Sequence, residues 1–269
     1  MTTTATTTCI TLPNLFMVSK KVKQFISNYI SSSSAKGVVI GLSGGLDSSV
    51  TLKLATDALG PTKIFGLMMP SDTTPKEDTD HATEFAESLK IKYRIIDITP
   101  IIKKYEKILP TADKRVRGNL MARIRMNLLY YYAGTKKYLV VGTSDKSELQ
   151  IGYFSKWGDG AADIMPIADL YKTQVRALAR YLQIPAEIVE KKSSPRLWGN
   201  HLAEEEIGMN YDTIDSILFC LIDERKSPKA VAKKLAIPAS KVQKVKEMID
   251  SSSHKRGIPK IAYLKKSNI

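Results

Sequence analysis

A short glycine- and serine-rich stretch constrains the fold of this chain more than any other feature of its sequence. Residues 41–49 read Gly-Leu-Ser-Gly-Gly-Leu-Asp-Ser-Ser and lie between an apolar run at 38–40 and a segment with apolar residues at helical spacing. At such a junction, the free backbone N–H groups and the positive end of the helix favour an anion. Two adjacent glycines let a phosphate approach the backbone without meeting a Cβ atom. We therefore predict a phosphate-binding turn, here called the phosphate loop, between a buried strand and a helix.

Apolar runs and helical patterns alternate along the first half of the chain. The run at 38–40 is typical of a buried parallel strand, and further strands are predicted at 64–69, 93–98 and 138–142. Residues 46–59, 75–89 and 116–133 have helical patterns. Thr74 is a candidate N-cap for the second of these helices, with Pro75 at its first helical position. This alternation predicts an α/β fold with a doubly wound parallel sheet.

The second half of the chain has a different pattern, with irregular segments and predicted helices but no further predicted strand. A glycine-rich loop at 158–162 and an irregular stretch at 193–201 flank a predicted helix at 171–182, and further helices are predicted at 211–224, 228–235 and 239–249. Because the sequence contains no internal repeat, we predict one domain over residues 16–262, with a helical C-terminal part. A flexible tail at 1–15 and a basic tail at 263–269 complete the predicted organisation.

Charge and composition argue against several classes of protein. No apolar run approaches the roughly 18 residues of a membrane-spanning helix, and the threonine-rich start lacks the pattern of a signal peptide. Cys9 and Cys220 form no close pair, which favours a reducing, cytoplasmic setting over a disulfide framework or a zinc site. The formal net charge of +14 suits polyanionic partners such as nucleotides, although solvated helix faces explain it equally well.

The composition of the phosphate loop indicates how it binds phosphate. Asp47 would repel a bare phosphate group, so its presence implies a bridging cation, for which Mg2+ is the natural candidate. The pattern is neither the Gly-x-x-x-x-Gly-Lys-Ser/Thr of kinase-type P-loops nor the Gly-x-Gly-x-x-Gly of dehydrogenases. It closely resembles the Ser-Gly-Gly-x-Asp-Ser loop of ATP pyrophosphatases, which adenylate a substrate and release pyrophosphate.

Other segments resemble one member of that class, the ammonia-dependent NAD synthetases. They are residues 69–78 (Met-Pro-Ser-Asp-Thr-Thr-Pro-Lys-Glu-Asp), 118–126 (Gly-Asn-Leu-Met-Ala-Arg-Ile-Arg-Met), 142–148 (Gly-Thr-Ser-Asp-Lys-Ser-Glu), 152–156, 158–163, 170–176, 197–198 and 254–256. Each segment alone is a weak to moderate signal. Their order and spacing, from about residue 20 to about residue 260, are together highly specific.

This resemblance implies both a fold and an activity. The family has the adenine nucleotide alpha hydrolase-like, Rossmann-like fold, and its members are ligases that amidate deamido-NAD with ammonia. ATP is consumed, an acyl-adenylate is the intermediate, and NAD, AMP and pyrophosphate are the products of this last step of NAD biosynthesis. The resemblance also implies a homodimer. It takes up nearly the whole chain and leaves no room for a glutaminase unit, so ammonia is the expected nitrogen source and no membrane or nucleic-acid partner is expected.

Carried over position by position, the family pattern implies roles for individual residues. Asp47 and Glu148 would hold Mg2+. The residues implied in ATP binding are Gly41, Leu42, Ser43, Gly44, Gly45, Leu46, Asp47, Ser48, Thr143, Lys172 and Ser194. Those implied in deamido-NAD binding are Arg123, Lys156, Asp163, His254 and Lys255. Asp47 and Lys172 would act in catalysis, and Asp159 is a candidate either for handling the proton of ammonium or for anchoring its own loop.

Some of these positions have a simpler explanation or depart from the family pattern. Glu148 has the alternative of an exposed helix acid. Lys172 has an unfavourable sign for a first helical turn, which favours a phosphate partner. Around Ser194 the usual proline, alanine and glycine are replaced by Ser193, Pro195 and Arg196, and residues 199–204 also differ from the usual pattern.

Two rival functions remain open at this point. An enzyme that keeps the pyrophosphatase loop but modifies tRNA would use the basic C-terminal third as its RNA surface. A non-catalytic nucleotide sensor of the same fold would bind ATP without releasing pyrophosphate.

Overall fold

The computed structural model describes residue 10 and residues 12–262. The described residues exclude Cys9, the tail at 263–269 and most of the tail at 1–15. Both tails therefore remain predictions. The strands are β1 (Val38–Gly41), β2 (Ile64–Met68), β3 (Lys92–Ile95) and β4 (Leu139–Val141). The helices are α1 (Leu15–Ser32), α2 (Leu46–Leu59), α3 (Lys76–Ser88), α4 (Thr99–Glu106), α5 (Lys114–Lys136), α6 (Lys146–Ile151), α7 (Lys172–Tyr181), α8 (Ala186–Val189), α9 (Ala203–Ile207), α10 (Tyr211–Leu218), α11 (Pro228–Leu235) and α12 (Ala239–Ser251).

The strands form a parallel sheet in the order β3-β2-β1-β4. In its register, Ile40 of β1 lies opposite Gly66 of β2 and Val141 of β4. The order reverses between β1 and β4, and the loops that leave the carboxyl ends of such neighbours open a crevice where α/β proteins bind ligands. The predicted doubly wound α/β fold is confirmed, and the phosphate loop begins at this crevice.

Alternate residues of β1 enter different hydrophobic layers, as the two faces of a strand require. Val38 and Ile40 pack in a cluster with side chains of α1, α2 and α7, whereas Val39 packs in a second cluster with side chains of α5. Because both faces of the sheet are covered, its central strand is a continuous apolar run, as the sequence indicated.

The C-terminal helices have a hydrophobic cluster of their own. Its buried side chains include Ile207, Ile214, Val231 and Val242, and Ile151 at the end of α6 joins it. The helical part is therefore attached to the sheet domain next to the segment that carries Glu148. No helix in the described part of the chain has both the length and the apolar character needed to cross a membrane.

Some local predictions were wrong or incomplete. Thr74 does not cap α3, because its hydroxyl accepts a hydrogen bond from the Ser71 N–H (3.0 Å) and closes a turn, while Pro75 takes the N-cap position. Helix α1 was not predicted, although Asn14 caps it by accepting a hydrogen bond from the Met17 N–H. Helix α10 ends at Leu218 and continues as a π-helical turn, Phe219–Asp223.

Candidate active site

The phosphate loop makes a tight turn between β1 and α2. Gly44 has a φ of +70°, and a Cβ atom there would lie 1.9 Å from the backbone oxygen of Asp78. Only glycine fits this position, because the left-handed conformation and the close backbone contact both exclude a side chain. The Ser48 and Ser49 hydroxyls donate to the Gly45 carbonyl oxygen, at 3.1 and 2.9 Å. The first N–H groups of α2 have no intrahelical acceptor and can bind an anion.

Lys172 lies beside this loop and is surrounded by carboxylates. Its side chain is only 1% exposed, and its Nζ lies 2.6 Å from Asp47 Oδ2, 3.0 Å from Asp145 Oδ2 and 2.8 Å from Glu148 Oε1. Asp47 belongs to the first turn of α2, Asp145 and Glu148 to the start of α6, and Lys172 is the first residue of α7. The three acids, called the carboxylate cluster below, thus meet from separate segments around one ammonium.

Burial and charge together shift the pKa values in this cluster. Burial raises the pKa of Glu148 to about 7 and places that of Asp145 well above its usual range. Burial alone would lower the pKa of Lys172, but the surrounding carboxylates hold it well above its usual value. With the pKa values of Asp145 and Glu148 raised in this way, a further cation would stabilise the form in which all three acids are ionised.

The cluster fits a hard divalent cation. One oxygen from each of Asp47, Asp145 and Glu148 lies within 4.8 Å of the others. Among the described residues, the buried Oδ1 atom of Asp47 has no hydrogen-bond partner, so it has an unused lone pair. Carboxylate oxygens are the ligands that Mg2+ prefers. The structure places the two predicted ligands, Asp47 and Glu148, together and adds Asp145, to which the sequence analysis assigned no role.

A sequence signal for Asp145 exists. It follows β4 and precedes Glu148 by three residues, the spacing of a capping box. Its Oδ1 atom caps α6 by accepting a hydrogen bond from the Glu148 N–H at 2.8 Å, which leaves Oδ2 to face Lys172. The capping interaction therefore aims the second oxygen of the same carboxylate into the site.

Four of the residues predicted to bind deamido-NAD meet at one surface. Arg123 Nη2 donates to the Lys156 carbonyl oxygen (3.2 Å), and Lys156 Nζ donates to the His254 carbonyl oxygen (2.8 Å). Lys255 Nζ donates to the carbonyl oxygens of Gly152 and Phe154, at 2.8 and 2.9 Å. We call Arg123, Lys156, His254 and Lys255 the basic cluster. Within the described part of the chain, none of its three cations lies within ion-pair distance of a carboxylate, so the surface stays positive.

The two acids predicted near the substrate have structural partners. The Asp163 carboxylate accepts hydrogen bonds from the Val140 N–H (2.7 Å) and the Tyr130 hydroxyl (3.3 Å), which tie it to β4 and α5. Asp159 accepts a hydrogen bond from the Ser155 N–H at 2.9 Å and closes its own loop. Of the two roles considered for Asp159, this geometry favours loop anchoring.

The irregular segment at 191–202, called the strap below, runs past the phosphate loop. Lys191 Nζ donates to the Gly44 carbonyl oxygen (3.2 Å) and to Asp78 Oδ1 (2.8 Å), and Arg196 Nε donates to Asp78 Oδ2 (2.7 Å). A Cβ on Gly118 of α5 would lie 2.8 Å from the Leu197 Cβ, so the strap also packs closely on that helix. The buried carboxylate of Asp78 thus links the strap to the phosphate loop.

The other predicted ATP ligands divide between these two regions. Thr143 follows the carboxyl end of β4, on the same edge of the sheet as the phosphate loop. The Ser194 hydroxyl donates to the His201 carbonyl oxygen and accepts from the Arg196 N–H (3.2 Å), so its contacts are within the strap. The structure therefore brings Gly41 to Ser48, Lys172 and Glu148 together, and leaves the ATP contact of Ser194 a prediction.

A histidine that the sequence analysis passed over stabilises the end of the strap. His201 stacks on Trp198 with ring centroids 3.4 Å apart, and its Nε2 lies 2.8 Å from Glu206 Oε2 and 3.0 Å from the Tyr153 hydroxyl. Burial lowers the pKa of His201. Its position within a segment that departs from the family pattern was the signal available in the sequence.

Known proteins match this chain over most of its length. The family profile described as NAD synthase matches residues 18–259. The NH(3)-dependent NAD(+) synthetase of Hyperthermus butylicus is 51% identical over 244 residues, which cover 90% of this chain and 88% of that protein. The structure of NMN synthetase from Francisella tularensis has a TM-score of 0.84 at 33% identity and covers 94% of this chain and 100% of that one. The NH3-dependent NAD synthetase of Campylobacter jejuni, solved with a nitrate ion, has a TM-score of 0.80 at 31% identity, with coverages of 93% and 100%.

Proposed function

Because this chain belongs to the NAD synthase family, we infer that it is a ligase that converts deamido-NAD, ATP and ammonia to NAD, AMP and pyrophosphate. One observation carries this inference: Lys172 and the carboxylate cluster lie directly beside a phosphate loop at the crevice of the sheet. That arrangement supports the proposal, because a triphosphate held by the loop would lie next to a cation and to three acids that suit a metal ion.

In the first step, the substrate carboxylate attacks the α-phosphorus of ATP. A bond forms between the carboxylate oxygen and phosphorus, and the bond from that phosphorus to the bridging oxygen breaks, so pyrophosphate leaves with the electron pair. The amides of the phosphate loop and the Lys172 ammonium are placed to stabilise the charge on the departing group. Mg2+ bound to Asp47, Asp145 and Glu148 would neutralise phosphate charge as a Lewis acid.

In the second step, ammonia attacks the carbonyl carbon of the acyl-adenylate. A carbon–nitrogen bond forms, the bond to the adenylate oxygen breaks, AMP leaves, and the new amide nitrogen loses a proton. Holding both substrates in one orientation can contribute on the order of 7 kcal/mol to such reactions. The match covers 88% of the NH(3)-dependent relative from Hyperthermus butylicus and 100% of the one from Campylobacter jejuni, which supports ammonia as the nitrogen source.

The basic cluster is the proposed site for deamido-NAD. Glu148 and Gly152 are four residues apart across the end of α6, so Glu148 and the carbonyl oxygen that Lys255 holds are about 6 Å apart along the helix axis. A dinucleotide spans such a distance, and its phosphates suit Arg123, Lys156 and Lys255. In this proposal Asp163, held by the Val140 N–H, contacts the same substrate.

The mononucleotide is a second candidate substrate. The solved relative from Francisella tularensis is named an NMN synthetase, which favours a test of deamido-NMN beside deamido-NAD. If the basic cluster recognises both nucleotide halves of the dinucleotide, Lys156→Ala should raise the KM for deamido-NAD more than the KM for deamido-NMN.

We also propose a homodimer that works in the cytoplasm. The family resemblance supports the dimer, as do exposed apolar side chains on and before α5, including Ile108, Val116 and Tyr131. A chain with only two cysteines suits a reducing compartment. Sedimentation at two protein concentrations tests the dimer directly.

A direct assay tests the proposed function. The purified protein is incubated with ATP, Mg2+, ammonium and deamido-NAD, and we expect NAD and AMP to form in equal amounts. Added tRNA should not change the rate, which separates this reaction from the tRNA-modifying alternative. ATP binding without any pyrophosphate release would overturn the proposal and favour a nucleotide sensor.

A further inference from the structure

A buried carboxylate of the helical part lies behind Lys172. Asp215 of α10 is completely buried, and its Oδ1 accepts a hydrogen bond from the Ser147 hydroxyl at 2.5 Å. Its Oδ2 accepts two more, from the N–H and the hydroxyl of Thr173, at 2.9 and 2.8 Å. A buried carboxylate with three donors is well satisfied and holds those donors in place.

These donors belong to the first turns of two different helices. Ser147 is the second residue of α6, and Thr173 is the second residue of α7. The Ser147 hydroxyl donates to Asp215, and its oxygen also accepts a hydrogen bond from the Lys172 N–H at 2.9 Å. The N–H groups of Lys172 and Thr173, which have no acceptor within α7, are therefore satisfied by groups from other segments. A carboxylate also suits the positive end of the helix.

The same turns carry the reacting groups. Asp145 and Glu148 flank Ser147, and Lys172 precedes Thr173. The distances from the Lys172 ammonium to those carboxylates thus depend on how the first turns of α6 and α7 sit relative to each other. One turn before Asp215 on α10, the Tyr211 ring lies 5.2 Å from Lys172 Nζ and closes the same wall.

We propose that Asp215 is a positioning residue for this reaction: together with Ser147 it ties the starts of α6 and α7 and so fixes the Lys172 ammonium among the carboxylates of the site. The proposal rests on the proposed function, since Lys172 matters only if phosphate charge develops beside it. It assigns to the helical part a role in the chemistry of the sheet domain. Burial raises the pKa of Asp215 to about 6, so the carboxylate is ionised at neutral pH and accepts all three hydrogen bonds.

The test compares Asp215→Asn with Asp212→Asn, an exposed acid on the same helix. Asparagine has nearly the same shape, but its NH2 group would face the donors of Ser147 or Thr173 and cannot accept their hydrogen bonds. We expect Asp215→Asn to lower kcat by about tenfold or more, since small displacements of a catalytic group have large effects on rate. The KM for deamido-NAD should stay within about twofold, because the basic cluster is untouched. Asp212→Asn should match the wild type.

Two further measurements separate positioning from a merely structural role. Amide hydrogen exchange in Asp215→Asn should be faster at Lys172 and Thr173 but unchanged at Val175 in the same helix. In a Lys172→Met background, Asp215→Asn should lower the residual rate by less than about twofold, because coupled residues are not additive. Ser147→Ala keeps Asp215 and removes only the hydroxyl that connects it to the Lys172 N–H. This variant should show the same changes in kcat and hydrogen exchange, but smaller ones. It replaces Asp215→Asn in the test if Asp215→Asn does not fold.

The outcomes are distinguishable from one another. A wild-type protein that makes no NAD refutes the proposed function and, with it, this inference. A wild-type protein that makes NAD, with unchanged kcat in Asp215→Asn and Ser147→Ala, refutes the positioning role alone. The positioning role is also refuted if either variant lowers kcat by the same factor in the Lys172→Met background as in the wild type.

Discussion

At the scale of single residues, the two oxygens of each carboxylate in the site have different partners. Asp47 gives one oxygen to Lys172 at 2.6 Å, while its other oxygen, though buried, accepts no hydrogen bond within the described chain. Asp145 gives one oxygen to the cap of α6 and the other to the site. Buried polar atoms are normally satisfied, so an unused one beside a phosphate loop indicates a ligand position.

Replacing Asp47 by asparagine should therefore lower turnover sharply while preserving the fold. The variant removes one proposed metal ligand, but Lys172 keeps Asp145 and Glu148 as partners. We expect kcat to fall by about a hundredfold or more, as when other charge-stabilising groups are removed. The matched control is Asp57→Asn on the same helix, whose exposed pair with Lys53 is remote from the cluster. Equal rates for the two variants would contradict the assignment of Asp47 as a metal ligand.

Gly44 is the residue of the phosphate loop that tolerates substitution least. In Gly44→Ala the new Cβ would meet the Asp78 backbone oxygen at 1.9 Å, in a conformation that alanine disfavours. We expect a loss of about 3 kcal/mol in unfolding free energy and weaker ATP binding, since the backbone must move. Gly134→Ala is the control, because its Cβ would meet nothing within 4 Å. Chemical denaturation of both variants gives the comparison.

At the scale of elements, the strap and α3 are joined through one buried acid. Asp78 and Asp80 lie on the same helix, and each pairs with lysine, but the side chain of Asp78 is 4% exposed and that of Asp80 is 47% exposed. Asp78 also pairs with Arg196, so its removal leaves two cations without their acid. The two positions give a matched measure of what burial does to an ion pair.

We expect Asp78→Asn to lower the unfolding free energy by about 3 kcal/mol and Asp80→Asn by about 0.5 kcal/mol or less. The difference arises because a broken buried pair leaves charge away from water, whereas a surface pair is replaced by hydration. Urea titration measures both. Because Lys191 also holds Gly44, the first variant should raise the KM for ATP as well. Equal stabilities would show that the strap does not depend on Asp78.

The contact between α10 and the starts of α6 and α7 should appear in the pH dependence of stability. The pKa of Asp215 is raised to about 6 in the folded protein, above its unfolded value, so the folded state binds the proton more tightly. Protonation of Asp215 therefore adds to the free energy of unfolding at low pH, and this contribution is lost as pH rises through about 6. Relative to Asp215→Asn, the wild type should lose about 1 kcal/mol between about pH 5 and about pH 8. Denaturation at the two pH values, with no change in this difference, would contradict the prediction.

At the scale of the whole molecule, the sequence predicted what depends on local pattern. The phosphate loop was predictable because strand, glycines and helix follow one another directly. The parallel sheet was predictable because β1, β2 and β4 are apolar runs, whereas β3, which reads Lys-Tyr-Arg-Ile, is mostly exposed. The partners of Lys172 were only partly predictable. Its sign in a first turn favoured phosphate, whereas the structure surrounds it with carboxylates from distant segments. Asp215 carried no local signal, since its role arises only when α10 packs behind α6 and α7.

The same long-range assembly predicts that ligand binding stabilises the whole chain. Asp47 comes from the sheet domain, Asp145 and Glu148 come from the segment that joins the helical cluster, and the strap packs against the phosphate loop. Mg2+ with ATP would thus connect the sheet, the segment that carries Glu148 and the strap, which must separate when the chain unfolds. At about a hundred times the dissociation constant, binding adds about 2.7 kcal/mol, which in a chain of this length raises Tm by about 5 °C or more. Calorimetric scans should show this shift with Mg2+ and ATP, and a much smaller one with ATP and a chelator or with Asp47→Asn. A shift of equal size in all three would mean that the triphosphate is held without the carboxylate cluster, and the proposed metal site would be wrong.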